Sequence, residues 1–157
     1  MRGTFRISRG ARTETPTIIA EVEEAGAIGR AECVPYPRYG ESIDSVSGEI
    51  ESLRREIENG IECQALQDAM PAGAARNAID CALWDLACKQ GGKRAWELAG
   101  IATPPPVVSA MTLSLDTPEN MAEAARASAH LPLLKIKVTG EGDLERVKAV
   151  RSGAPDS

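Results

Sequence analysis

Apolar residues along this chain change their spacing twice, and the changes divide it. From Thr17 to Glu24, "TIIAEVEE", β-branched residues pass into alternation, and residues 28–34, "IGRAECV", continue at period two. Together with residues 4–9 these predict three strands joined by short connections, an antiparallel meander, with "EEAGAIG" supplying a turn. From Val46 the period becomes helical. Val46, Ile50, Leu53 and Ile57 predict a helix over about 46–59 with Ser45 as N-cap, closed by Asn59-Gly60. A shorter helix is expected over 62–69, stopped by Pro71. The longest apolar stripe runs through "AGAARNAIDCALWDLACKQGG". Ala75, Ile79, Ala82, Leu83 and Leu86 mark one face, and Ala78 and Ala87 widen it. Asp85 and Lys89 form an i,i+4 pair, and Gly91-Gly92 is the C-cap signal. "RAWELAG" predicts one more short helix.

The second change comes at "TPPP", residues 103–106, a stiff extended stretch that reads as an interdomain crossing. Beyond it "VVSAMTLSL" predicts a strand and "TPENMAEAARASAH" a helix with a Thr cap and Pro at its first position. "LLKIKVTG" predicts a further strand and "GDLERVKAVRSG" a further helix. This β-α-β-α order is that of a parallel sheet. Two domains are therefore expected, 1–103 and 104–157.

Composition narrows the picture. Charged residues make up 26% and apolar residues 43%, as in ordinary globular proteins. Aromatics are only 3%, so Ala, Leu, Ile and Val must build the core, which favours helices packed closely on sheet. The net charge of -5 argues against nucleic acid or an acidic membrane as partner. No apolar run reaches the length of a membrane span. The basic start, "MRGTFRISRG", lacks the apolar core of a signal peptide, so a cytoplasmic location is expected. Cysteines 33, 63, 81 and 88 form no CxxC pair, and His130 is the only histidine, which leaves zinc little to bind. Cys81 and Cys88, seven apart, read as small hydrophobes on one helix face. Free thiols fit a reducing compartment.

The strand around residue 135 carries the chemistry. Alternation places Lys135 and Lys137 on one face and Leu134, Ile136 and Val138 on the other. Exposed, the lysines would merely protect a sheet edge from aggregation. Inside a barrel, like charge and desolvation would both lower lysine pKa, and such a lysine can take a proton from carbon.

A meander, a helical cap and then βα units with Lys-x-Lys on the second strand resemble the mandelate racemase and muconate lactonizing enzyme branch of the enolase superfamily. "AARNAIDCALWDLACK" followed by "WELAG" resembles that family's long cap helix, and "ECVPYPRYGES" is similar to its dipeptide epimerases. The resemblance implies an α+β capping domain, a three-stranded antiparallel meander plus helices over 1–103. The first two βα units of an incomplete (β/α)8 barrel would follow over 104–157. It implies Mg²⁺-assisted exchange of the α-proton beside a carboxylate, on a small dipeptide such as Ala-Glu, because the enediolate formed there needs a cation. Lys137 matches the acid/base, and Lys135 matches the neighbour that lowers its pKa and touches the substrate carboxylate. Arg9 and Arg12, in the loop "SRGARTET", are candidates for gripping a carboxylate, against plain solvent exposure. Tyr36 and Tyr39 are candidate walls from "PYPRYG", against local loop packing. Thr112 faces the site or only packs.

A full barrel needs about 250 residues, and roughly 50 follow "TPPP". The family's three metal carboxylates and its second lysine would lie beyond Ser157. Asp143, Glu145 and Asp156 do not form a substitute set. The expectation is thus an N-terminal fragment that binds no Mg²⁺ alone, is inactive alone, and needs the missing barrel half or a homo-oligomer. Muconate cycloisomerases and o-succinylbenzoate synthases share Lys-x-Lys and stand as alternatives. So does a non-catalytic remnant or interaction module.

Overall fold

In the computed structural model, which describes residues 4–157, the chain opens with a tight hairpin. β1 (Phe5–Ile7) runs antiparallel to β2 (Gly10–Arg12), with Ile7 opposite Gly10, so Ser8 and Arg9 alone make the turn. Gly10 adopts φ +141°, a conformation open to glycine and rare for other residues. This corrects the expected meander. The segment read as one strand over 4–9 folds back on 10–12 instead of pairing with 17–24. The described strands form three two-stranded sheets rather than one of three.

β3 (Ile18–Glu24) and β4 (Ala27–Cys33) make the second hairpin, paired from Ile18 opposite Cys33 to Glu24 opposite Ala27. Ala25 and Gly26, at φ 50° and 80°, turn it, as the twist-matching two-residue hairpin loops require. Ile18, Ala20 and Val22 face the core, while Ile19, Glu21 and Glu23 face away.

A 3₁₀ turn at Pro37–Tyr39 leads to α1 (Ile43–Ser52) and α2 (Arg54–Glu58). The expected single helix is thus two, broken at Leu53. Ser52 Oγ donates to the Glu49 carbonyl at 2.7 Å, a local bond that competes with the helical ladder just where it breaks. The cap is Ser42 rather than Ser45. Ser42 Oγ accepts from Ser45 N–H at 3.0 Å, and Ser45 Oγ accepts from Ser42 N–H at 3.0 Å, a reciprocal capping box. α3 (Cys63–Ala69), α4 (Ala74–Gly91) and α5 (Ala95–Leu98) follow. α4 ends on Gly92 in the left-handed region and carries the Asp85–Lys89 ion pair at 2.6 Å.

α4 lies close on β4. A Cβ on buried Gly29 would collide with the Ala82 carbonyl and with Leu86. Val46, Leu66, Ala75, Ala78, Ile79 and Ala82 form the core beneath the sheet, and the alanines among them let helix and strand approach. Cys81 is exposed and Cys88 only half-buried, so the two do not share a core face. All four thiols are free.

Residues 101–110 are exposed throughout and contain no regular element. Then come β5 (Met111–Leu113), α6 (Pro118–Ala127), β6 (Leu134–Ile136) and α7 (Asp143–Gly153). β5 and β6 pair in parallel, as the alternation of elements requires. Both strands are shorter than expected, three residues each. Thr117 Oγ1 caps α6 by accepting from Asn120 N–H, with Pro118 at the first helical position. Leu113, Met121, Ala125, Val150 and Ala154 form a second core, with Leu134 and Ile136 packed on it. Chain contacts divide the elements into two units: Pro16–Pro104 is one, and the β1–β2 hairpin joins Pro105–Ser157 in the other.

Candidate functional site

The parallel pair fixes which side chains share a face. Thr112 lies opposite Lys135, and Leu113 opposite Ile136. Leu113 and Ile136 belong to the helix-covered core, so Thr112 and Lys135 point to the other side of the sheet. Lys135 is exposed and Thr112 half-buried. Lys137 stands one residue past the end of β6 and is half-buried. The sheet's helix-free face therefore carries a hydroxyl and an ammonium side by side, with a second ammonium at the strand's C-terminal end. In parallel α/β folds that end is where ligands bind.

The hairpin reaches the same end of β5. Leu115 N–H donates to the Arg6 carbonyl at 3.0 Å. Ser114 Oγ accepts from Arg6 N–H at 3.4 Å and donates to the Thr4 carbonyl at 3.2 Å. These bonds hold β1 to the residues just past β5. They bring the turn residue Arg9 and the strand residue Arg12, both exposed, into the unit that holds the lysines.

Tyr36 and Tyr39 belong to the other unit. Their rings lie 5.8 Å apart, tilted by 42°. Tyr36 is half-buried and Tyr39 is 76% exposed. With Cys33, Glu41 and Asn77 they line an open cleft of about 540 Å³. Glu41 organises this loop. Its two oxygens accept from Tyr36 N–H at 2.9 Å and Ala74 N–H at 2.7 Å. These bonds, the Ala74 one first, hold its carboxyl below the usual carboxylate range.

Asp143 and Arg146 form a second organising pair. Asp143 opens α7, and its carboxylate accepts from Thr139 N–H at 3.0 Å and from Gly140 N–H. Arg146 donates to Asp143 at 3.0 Å, to the Glu141 carbonyl at 2.6 Å and to the Asp116 carbonyl at 3.1 Å. The pair folds the loop that directly follows Lys137 and ties it to the loop after β5. The Thr139 N–H bond leads the causes that lower the Asp143 pKa. The signal was present in the sequence: an Asp at a helix start behind a glycine loop, with Arg three residues on.

Among the described residues no group of three or more His, Cys, Asp or Glu is placed to hold a metal ion. Asp143 and Glu145 are no exception, and Asp143 is committed to backbone. Nor is any described helix long and apolar enough to cross a membrane. His130 is exposed.

Residues 1–100 match the family model for the mandelate racemase / muconate lactonizing enzyme N-terminal domain. The chain is 44% identical over 155 residues to the L-Ala-D/L-Glu epimerase of Escherichia coli K12, covering 98% of this chain and 48% of the relative. An enolase family member from Agrobacterium tumefaciens, with homology to dipeptide epimerases and bound sodium and L-Ala-L-Glu, superposes with TM-score 0.92 at 45% identity. That match covers 99% of this chain and 48% of the other. A dipeptide epimerase from Enterococcus faecalis, complexed with Mg and L-Leu-L-Tyr, superposes with TM-score 0.83 at 31% identity, covering 97% and 46%. The chain spans about half the length of the relatives it matches.

Proposed function

Because this chain belongs to the mandelate racemase and muconate lactonizing enzyme family of the enolase superfamily, we propose that it supplies part of a dipeptide epimerase. The reaction is removal and return of the α-proton beside the carboxylate of an Ala-Glu-like dipeptide. Pro16–Pro104 contributes the cap, and β5–α6–β6–α7 contributes the first two βα units of a barrel.

One observation carries this reading: Thr112 and Lys135 share the helix-free face of a parallel pair, Lys137 follows one residue past the end of β6, and the arginine-bearing hairpin is bonded to the residues just past β5. Lys137 takes or returns the proton on one face of the α-carbon, and a group of the barrel remainder serves the opposite face. Lys135, two residues before it, meets the substrate carboxylate. Arg9 and Arg12 grip the substrate's second carboxylate, which suits a dipeptide ending in glutamate. Thr112 lines the floor beside the lysines. The relatives support the substrate class, since one is an L-Ala-D/L-Glu epimerase and another holds L-Ala-L-Glu.

Two parallel strands do not close a barrel. The described residues also provide no carboxylate set for the Mg²⁺ found with the Enterococcus faecalis relative. The chain alone is therefore expected to be inactive, and a barrel remainder must complete the site. The test combines this chain with the C-terminal half of the Escherichia coli relative, with L-Ala-L-Glu and Mg²⁺ in D₂O. Deuterium at the glutamate α-carbon, read by proton NMR, is the expected result. A folded two-part complex that leaves the α-proton untouched overturns the proposal.

A further inference from the structure

Burial does not fix the backbone that follows Lys137. β6 ends at Ile136, so Lys137 lies past the parallel pairing with β5. Val138 is 48% exposed, and Thr139 and Gly140 are exposed as well. Asp143 holds this stretch instead. Its carboxylate takes the Thr139 N–H through both oxygens, each at 3.0 Å, and takes the Gly140 N–H besides. Thr139 is two residues from Lys137, a reach of at most about 7 Å along the chain. A clamp so near limits where the lysine can go.

Asp143 is itself held in place. Its side chain is 19% exposed and that of Arg146 is 21% exposed, so their ion pair at 3.0 Å is largely withdrawn from solvent and less screened than a surface pair. Arg146 Nη1 also donates to the Glu141 carbonyl at 2.6 Å, and Nε donates to the Asp116 carbonyl at 3.1 Å. Gly142 leaves the guanidinium room, since a Cβ there would lie 3.4 Å from Nη1. Asp116 is anchored at the start of α6, where its carboxylate accepts from Thr117 N–H at 2.8 Å and from Asn120 Nδ2 at 3.0 Å. Starting α7 requires none of these crossings. An acid in the first turn is enough for that, and exposed Glu145 supplies a second one.

We propose that Asp143 is a positioning residue for Lys137: it clamps the backbone behind the lysine, and Arg146 fixes the clamp to the loop after β5. This rests on the acid/base role proposed above for Lys137. Asp143 acts through the backbone rather than on the substrate. It keeps the ammonium at the end of β6, and proton transfer to or from carbon depends steeply on that placement.

Two measurements test the clamp and the reading beneath it separately. In the full chain alone, ¹⁵N relaxation reports the order of each amide. Asp143→Ala is expected to lower the order of the Lys137 and Val138 amides, while Lys135, inside β6, keeps its own. In the two-part complex with the C-terminal half of the Escherichia coli relative, the same variant is expected to lower kcat for α-deuterium exchange about 10–10²-fold, with KM little changed. Asp143→Asn, which keeps one acceptor oxygen, should recover part of both losses. Glu145→Gln removes an acid from the same helical turn and should alter neither. Circular dichroism checks folding, and if the alanine variant does not fold, the asparagine variant carries the comparison. Unchanged order at Lys137, order lost equally along all of β6, a raised KM with kcat retained, or an equal loss in Glu145→Gln overturns the proposal. An unmodified complex that exchanges no deuterium defeats the acid/base reading instead, and the order at Lys137 then decides the clamp alone.

Discussion

The Glu41 carboxylate reaches across 33 residues of sequence to accept the Ala74 N–H at 2.7 Å, at the first residue of α4. Its other oxygen takes the Tyr36 N–H at 2.9 Å. One side chain thus satisfies an open helix N-terminus, where Gly73 brings no side-chain cap, and pins the loop that bears both tyrosines. The folded-state pKa is lowered, so the contribution to stability is fully present above the unfolded value of about 4.3. It is lost as pH falls through the lower folded value. Glu41→Gln is expected to melt at lower temperature than the parent at pH 7. The gap should narrow as both are acidified below pH 4, a range set by that same reference value. Thermal melts of both proteins across that range check the convergence.

A Cβ at Gly29 meets the carbonyl of Ala82, which is helix backbone and cannot rotate aside. Gly29→Ala is therefore expected to push α4 off β4 and cost about 1–3 kcal/mol, the usual penalty of overpacking. Gly48, where an added Cβ meets nothing, is the control. Gly48→Ala should be neutral or stabilising, since it removes a glycine from the interior of α1. Denaturant midpoints of the two variants separate packing from chain entropy.

Those two positions mark what could and could not be read from the sequence. The stripe from Ala75 to Leu86 announces α4 and its buried face, because helix period and small side chains are local facts. The Asp85–Lys89 pair, the Gly92 cap and the Thr117-Pro118 start are equally local, and each sits as expected. Long-range choices are not local. Residues 4–9 have strand composition whether they pair with 10–12 or with 17–24, and Gly10 permits the short return. Ser42 and Ser45 are both good caps in isolation, and only their mutual bonds select Ser42. At the site, alternation correctly separates Lys135 from Leu134 and Ile136. It does not reveal that β6 ends before Lys137, or that Asp143 and Arg146 fold the loop behind it.

The Asp143–Arg146 pair can be tested on the chain as it stands. Asp143→Ala removes the acceptor of the Thr139 and Gly140 amides, so both should exchange faster with solvent while the β6 amides keep their protection. Arg146→Met cuts the links to Glu141 and Asp116 but leaves Asp143 in place. It should loosen Glu141 more than Thr139. Arg146→Lys, which keeps a charge but not the fork, should fall between. Amide exchange by NMR resolves the three patterns. Equal loosening in all three variants would mean that the loop is held by something else.

The lysines require the completed enzyme, and the assigned roles differ in kinetic signature. Lys137→Met removes the proposed acid/base, so kcat for α-deuterium exchange should fall about 10²–10⁴-fold with KM little changed. Lys135→Met removes a cation beside it, facing the same side of the sheet as Thr112. It should raise KM as well as lower kcat, since the role proposed for Lys135 is contact with the carboxylate in both ground and transition states. Arg9→Met and Arg12→Met should raise KM for Ala-Glu with kcat largely retained. They should leave a dipeptide without a side-chain carboxylate unaffected, which ties them to binding of that group. Steady-state exchange rates on the two substrates separate these cases. A Lys137→Met variant with unimpaired kcat would remove Lys137 from the chemistry, whatever its place on the strand.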